Sequence, residues 1–121
     1  MIEAILNVVV DLSDQKLYAY SEDSVYEFVV STGKPSTPTP VMEEVIDRKY
    51  EVTDLYGPGY YLRDVPYVMC FKDYEEYCIH PNTTSKPLGE PHSMGCVRMS
   101  TEDAGWLFNR VKVGTPIKVV L

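Results

Sequence analysis

Turn length is the tightest constraint on how this chain of 121 residues can fold. Three β-prone stretches open it: ILNVVVDL within Ala4 to Leu12, KLYAY from Lys16 to Tyr20, and VYEFVVS from Val25 to Ser31. β-branched and aromatic residues favour pleated strands. KLYAY also alternates, with Leu17 and Ala19 on one face and Tyr18 and Tyr20 on the other. The links between the stretches are only DLSDQ and SEDS. Links this short cannot make a crossover, so neighbouring strands must run antiparallel, and a meander is predicted.

Ser31 to Pro40, STGKPSTPTP, breaks the pattern, because proline cannot donate to a strand ladder. Taken alone it reads as a surface loop; the alternative is a rigid loop edging an active site. VMEEVI, from Val41 to Ile46, fits a strand or a short helical turn, and Arg48 to Leu55 reads as a strand. Gly57, Pro58 and Gly59 interrupt the chain, with Tyr56, Tyr60 and Tyr61 crowding the break as an aromatic wall or as ordinary packing. Pro66 to Phe71 and Glu75 to His80 are predicted strands joined by a tight turn at KDYE, near Tyr74. Asn82 to His92 is a polar loop of a length that tends to carry function.

The spacing predicts one helix, over Ser100 to Val111. Ala104, Leu107, Phe108 and Val111 fall at i, i+3, i+4, i+7, Ser100 is suited to cap the start, and Glu102 and Asp103 favour the first turn. Lys112 and Gly114 close it, and Thr115 to Leu121 is a terminal strand. Residues 1–121 are therefore expected to form one mostly β domain with a single helix, without internal repeats.

A net charge of −7 and scattered basic residues argue against nucleic acid as a partner, which would need clustered Lys and Arg. No apolar run approaches the roughly 20 residues of a membrane span. The opening MIEAILNVVVDL has no basic region and no small-residue cleavage site. The chain then acts in the cytosol, or has lost a leader, or leaves the cell by another route. Cys70 and Cys78 flank the predicted KDYE turn and could face each other; two buried free thiols are expected in preference to a cross-strand disulfide. Neither CxxC nor zinc-ligand spacing is present, so no metal is expected.

The chemistry concentrates between His80 and Met99, HPNTTSKPLGEPHSMGCVRM, which contains both histidines and one cysteine. Cys96 follows Ser93, Met94 and Gly95, and Arg98 lies two residues beyond. Fifteen residues separate His80 from Cys96, enough for a loop to return a strand-end imidazole beside a thiol. An imidazole that removes the thiol proton makes sulfur a nucleophile. Gly95 lets backbone N–H groups approach a substrate oxyanion. His80, on a strand, is the better base; His92 is expected to be merely exposed at a loop edge. A backbone carbonyl could fix the His80 tautomer. Ser93 could bond within its turn or line the site. Arg98 could bind a substrate carboxylate or form a structural salt bridge.

His80, the loop and SMGCVRM together resemble the catalytic signature of the L,D-transpeptidase (YkuD-like) family. VVDLSDQKLYAY resembles the family's opening hairpin, VSTGKPSTPTP its "VSTGKxxxPTP" loop, and DVPYVMCF the strand before its histidine. EDAGWLFNRVKVGTPIKVVL resembles its closing helix and strand. The resemblance implies an L,D-transpeptidase-like β-sandwich or barrel with one helix after the cysteine. It implies Cys96 as nucleophile and His80 as base, Gly95 and Cys96 in the oxyanion region, and Ser93, Met94 and Arg98 at active-site positions. The implied reaction cuts a peptidoglycan stem tetrapeptide between its third and fourth residues through a thioester, then passes the acyl group to a neighbouring amine. Water as acceptor would make the protein an L,D-carboxypeptidase, and a degenerate member would only bind wall peptides. Carbapenem acylation of the cysteine, a cell-wall or periplasmic location and no metal or organic cofactor are also implied. The chain departs from the pattern at Met94, where histidine is usual, at Pro81, where glycine commonly follows the catalytic histidine, and at VMEEVI, which lacks the glycine usual after TPTP.

Overall fold

The structure, a computed structural model, describes residues 2–72 and 77–121. The turn expected near Tyr74 lies outside the described residues. The predicted meander is present: β1 (Asn7–Asp11), β2 (Lys16–Tyr20) and β3 (Val25–Val29) pair antiparallel in order. In the first turn Asp11 Oδ1 accepts from Ser13 Oγ at 2.8 Å and from the Asp14 N–H at 3.1 Å, so a side chain supplies the turn's hydrogen bonds.

VMEEVI resolves as strand. β4 runs unbroken from Met42 to Gly57 and turns at Pro58 and Gly59 into β5 (Tyr60–Phe71). Register shifts between Ile46 and Arg48 and between Thr53 and Leu55 disturb its inside–outside alternation, and so its signature. β6 (Tyr77–Pro81) follows antiparallel to β5, and β7 (Val97–Met99) lies parallel to β6. Next come helix α1 (Thr101–Phe108) and β8 (Pro116–Val120). β8 inserts between β1, to which it is parallel, and β4, to which it is antiparallel. The strand order is β3-β2-β1-β8-β4-β5-β6-β7. Both parallel pairs join strands linked by long connections.

The order nearly closes on itself. Ser31, just past β3, exchanges two backbone hydrogen bonds with Arg98 of β7, at 2.9 and 2.8 Å. The loop after the meander is thereby tied to the strand that follows Cys96.

α1 packs against β5 and β6. Ser100 caps it, its Oγ accepting from the Asp103 N–H at 3.1 Å. Ala104 and Leu107 are fully buried, with Phe108 beside them, against Met69, Phe71 and Ile79 of β5 and β6. The helix stops at Phe108, short of the Val111 expected from periodicity. Lys49 of β4 donates to the Phe108 and Val111 carbonyls at 2.6 and 2.7 Å, occupying acceptors that further turns would have used. Val111 nonetheless stays buried.

A second, smaller apolar cluster lies under the β4–β5 hairpin: Val65, Val68, Cys70 and Cys78, with Tyr50, Leu55, Leu62 and Cys96 against it. Cys70 and Cys78, expected as free thiols, form a disulfide. They are direct partners in the β5–β6 register, which brings their sulfurs together, and the sequence does not display that register.

Candidate active site

A pocket of about 130 Å³ opens between the hairpin, β6 and the segment before β7. His80, Ser93, Met94, Cys96 and Arg98, all anticipated, line it, and so do Tyr60, Leu62, Thr83 and Thr84, which were not. Gly95 is buried behind the lining, and His92 does not reach it. Rather than being merely exposed, His92 is half-buried, with Nε2 3.1 Å from Glu90 Oε2.

His80 comes from β6 and is only 3% exposed. Its Nδ1 lies 2.7 Å from the Pro81 carbonyl oxygen. A carbonyl can only accept, so Nδ1 carries the hydrogen and Nε2 keeps its lone pair. Pro81 costs nothing here, because the group it supplies is its carbonyl. Burial lowers the imidazole pKa from 6.5 to about 4, and the Arg98 charge adds to the shift against the opposing Pro81 bond.

Cys96 is the free cysteine among the described residues, and it is partly exposed. Burial pushes its thiol pKa up; the Cys78 backbone, the Tyr60 hydroxyl and the Arg98 charge act in the opposite direction. Both shifts favour uncharged forms, a neutral thiol and a neutral imidazole.

Tyr60 stands at the start of β5, with its hydroxyl directed toward the Cys96 sulfur. Gly57 makes this placement available: a Cβ there would lie 2.7 Å from Tyr60 Cε1, so the ring lies across the bare α-carbon. The crowd of tyrosines at the break is thus divided. Tyr60 faces the thiol, while Tyr56 and Tyr61 stack with ring centroids 5.9 Å apart and stay exposed. The sequence signal, three tyrosines beside Gly-Pro-Gly, marks the region but not which ring turns inward.

The STGKPSTPTP loop is the rigid alternative, not a free surface loop. The Lys34 N–H and Thr37 Oγ1 both donate to the Ser93 carbonyl at 2.9 Å, and Thr39 Oγ1 donates to the Gly95 carbonyl at 2.6 Å. Gln15 anchors the loop from the first turn: its Nε2 donates to Thr32 Oγ1 at 2.7 Å and its Oε1 accepts from the Thr32 N–H at 2.9 Å. Ser93 Oγ closes the turn by donating to the Cys96 carbonyl and accepting from the Gly95 N–H at 3.1 Å.

Residues 7–119 match the L,D-transpeptidase catalytic domain. The chain belongs to this family. No curated protein matches it in sequence. Among solved structures, it resembles an L,D-transpeptidase from Mycobacterium tuberculosis H37Rv with a TM-score of 0.89 and 25% identity, over 98% of this chain and 58% of that one. It resembles an Enterococcus faecium L,D-transpeptidase, in a cysteine-to-serine mutant form, with a TM-score of 0.86 and 28% identity, over 98% of this chain and 50% of that one. It also resembles the LD transpeptidase LdtMt1 in complex with imipenem, with a TM-score of 0.86 and 25% identity, over 98% of this chain and 59% of that one. The chain thus spans half to three-fifths of the length of these L,D-transpeptidases. The family is associated with the cell wall. Among the described residues no helix is long and apolar enough to cross a membrane, and no three side chains form a metal-binding group.

The three departures from the family pattern now have places. The Pro81 backbone carbonyl holds His80 Nδ1, a contact that does not depend on the side chain at 81. Met94 meets the hairpin tip, since a Cβ on Gly59 would lie 3.6 Å from Met94 Cε. VMEEVI pairs with β8 and does not line the pocket.

Proposed function

We propose that the protein is a cysteine L,D-transpeptidase acting on peptidoglycan stem peptides through a thioester on Cys96, with residues 1–121 as the catalytic unit. One observation carries this reading: a thiol, an imidazole with Nε2 uncommitted and a guanidinium line one pocket. The donor is a tetrapeptide stem. Sγ attacks the carbonyl carbon of its third residue while His80 Nε2 takes the thiol proton. The resting pair is neutral, so this proton moves as the C–S bond forms. The Gly95 N–H is spent on Ser93, which leaves the Cys96 N–H to donate to the developing oxyanion. Collapse of the intermediate expels the amine of the fourth residue, which takes the proton from His80.

An amine of a neighbouring stem then attacks the thioester and regenerates the thiol. Arg98 has no ion pair with an acidic side chain among the described residues, and its guanidinium is suited to the donor's carboxylate. A carbapenem would acylate the same sulfur through its strained carbonyl. The test is incubation with a tetrapeptide stem, with and without an amine acceptor, followed by chromatography and mass spectrometry. Release of the fourth residue with a cross-linked product supports transfer. Hydrolysed tripeptide alone, even with acceptor present, would make the protein an L,D-carboxypeptidase. No release by folded, reduced protein contradicts both and leaves a wall-peptide-binding role.

A further inference from the structure

Thr39 lies outside the pocket lining, yet its hydroxyl is placed to control one peptide bond inside the site. It is 2% exposed, accepts from the Gly33 N–H at 2.9 Å and donates to the Gly95 carbonyl at 2.6 Å. The Gly33 N–H can only donate, so the hydroxyl's own hydrogen is directed to Gly95. That carbonyl belongs to the same planar unit as the Cys96 N–H. In a trans peptide the two point in opposite directions, and among the described residues no peptide is cis. Holding the carbonyl on Thr39 therefore turns the Cys96 N–H away from the loop.

The hold matters because of the residue it acts on. Gly95 has φ +129°, a region open to glycine, and glycine leaves the following peptide free to rotate. The neighbouring units of the turn are held by other groups: Ser93 Oγ takes the Gly95 N–H, and Lys34 and Thr37 hold the Ser93 carbonyl. The Gly95–Cys96 unit has Thr39.

We propose that Thr39 is a positioning residue for acyl transfer, fixing the Gly95–Cys96 peptide so that the Cys96 N–H meets the oxyanion formed on the donor carbonyl. This rests on the acyl-transfer reading above. It concerns only steps in which a carbonyl oxygen gains charge; attack of sulfur on a saturated carbon forms no oxyanion and does not use that N–H.

The two reactions give the test. Wild type, Thr39→Val and Thr39→Ser are each treated with imipenem, which acylates through a carbonyl, and with iodoacetamide, which alkylates by displacement of iodide. Thr39→Val is expected to slow acylation by about 10- to 100-fold, since small misplacements of an oxyanion donor are costly in rate. Its alkylation is expected to stay within about threefold of wild type, as no transition-state contact is removed there. Thr39→Ser restores the hydroxyl and should restore acylation. Thr39→Ala carries the same readout if valine prevents folding. Equal acylation of wild type and the hydroxyl-free variant would overturn the proposal, as would a matching loss in both reactions, which would make Thr39 a support of the fold alone. A wild type that is alkylated but never acylated would overturn the acyl-transfer reading itself.

Discussion

The apolar cluster beneath α1 and the one beneath the β4–β5 hairpin hold the molecule by different means. The first draws on nearly every strand and on the helix, with Leu17, Ile46, Phe71, Ile79 and Leu107 among its fully buried members. Its stability is a sum over many contacts. The second has Val65, Val68 and a disulfide, and one of the side chains packed against it is Cys96. It has little apolar area to contribute, and a covalent link stands in for it. Leu107, a member of the larger cluster, is not among the residues that line the pocket. The smaller cluster backs the pocket through Leu62 and Cys96, which pack against it and line the cavity, so a change there acts on the thiol as well as on stability.

The largest effect should come from a change in chemistry without a change in either cluster. His80→Gln is expected to lower kcat/KM for stem-peptide transfer by about 10³-fold, the middle of the range for losing a general base. Its fold, followed by circular dichroism, should be kept. The same variant tests the burial of the imidazole. His80 has its pKa depressed to about 4 from 6.5, so the unfolded chain binds more protons between those values. The corresponding stability is complete above pH 6.5 and is lost as pH falls toward 4, by about 3 kcal/mol. His80→Gln should lack this part of the slope in denaturant titrations across that window; an unchanged slope would contradict the buried neutral imidazole.

Next in size is a cut in the large cluster. Leu107→Ala should cost about 2–5 kcal/mol in urea unfolding through the cavity it leaves. Imipenem acylation of the folded protein should be unaltered, and a marked fall would mean that the two clusters are coupled.

The smallest stability change should come from the hairpin cluster, with the comparison reversed. Cys70→Ala with Cys78→Ala opens a short covalent loop and should cost about 2–3 kcal/mol. Acylation should nevertheless slow, by about tenfold, because β6 carries both Cys78 and His80 and the Cys78 backbone contacts the Cys96 sulfur. An unchanged acylation rate would remove the distinction between the clusters.

Features set by neighbours in sequence were legible beforehand. The meander followed from turn length, the helix start from Ser100, and the pairing of His80 with Cys96 in one pocket from a strand end and a returning loop. Features set by distant partners were not. The helix ends where Lys49 takes its carbonyls. β4 conceals its length behind two register shifts. The disulfide depends on which residues of β5 and β6 face each other. Tyr60 turns inward because Gly57 leaves room for its ring. The proline-rich loop reads as superficial because its prolines exclude a strand ladder, yet two of its hydroxyls, on Thr37 and Thr39, are committed to the Ser93 and Gly95 carbonyls.

Every step proposed for the site requires that Cys96 becomes acylated. Intact-protein mass spectrometry after incubation with imipenem tests it most directly, with fragmentation to locate the added mass. One adduct per chain is expected, on the peptide containing Cys96, and none on Cys96→Ala. An adduct that persists in Cys96→Ala, or none on folded, reduced wild type, would contradict it.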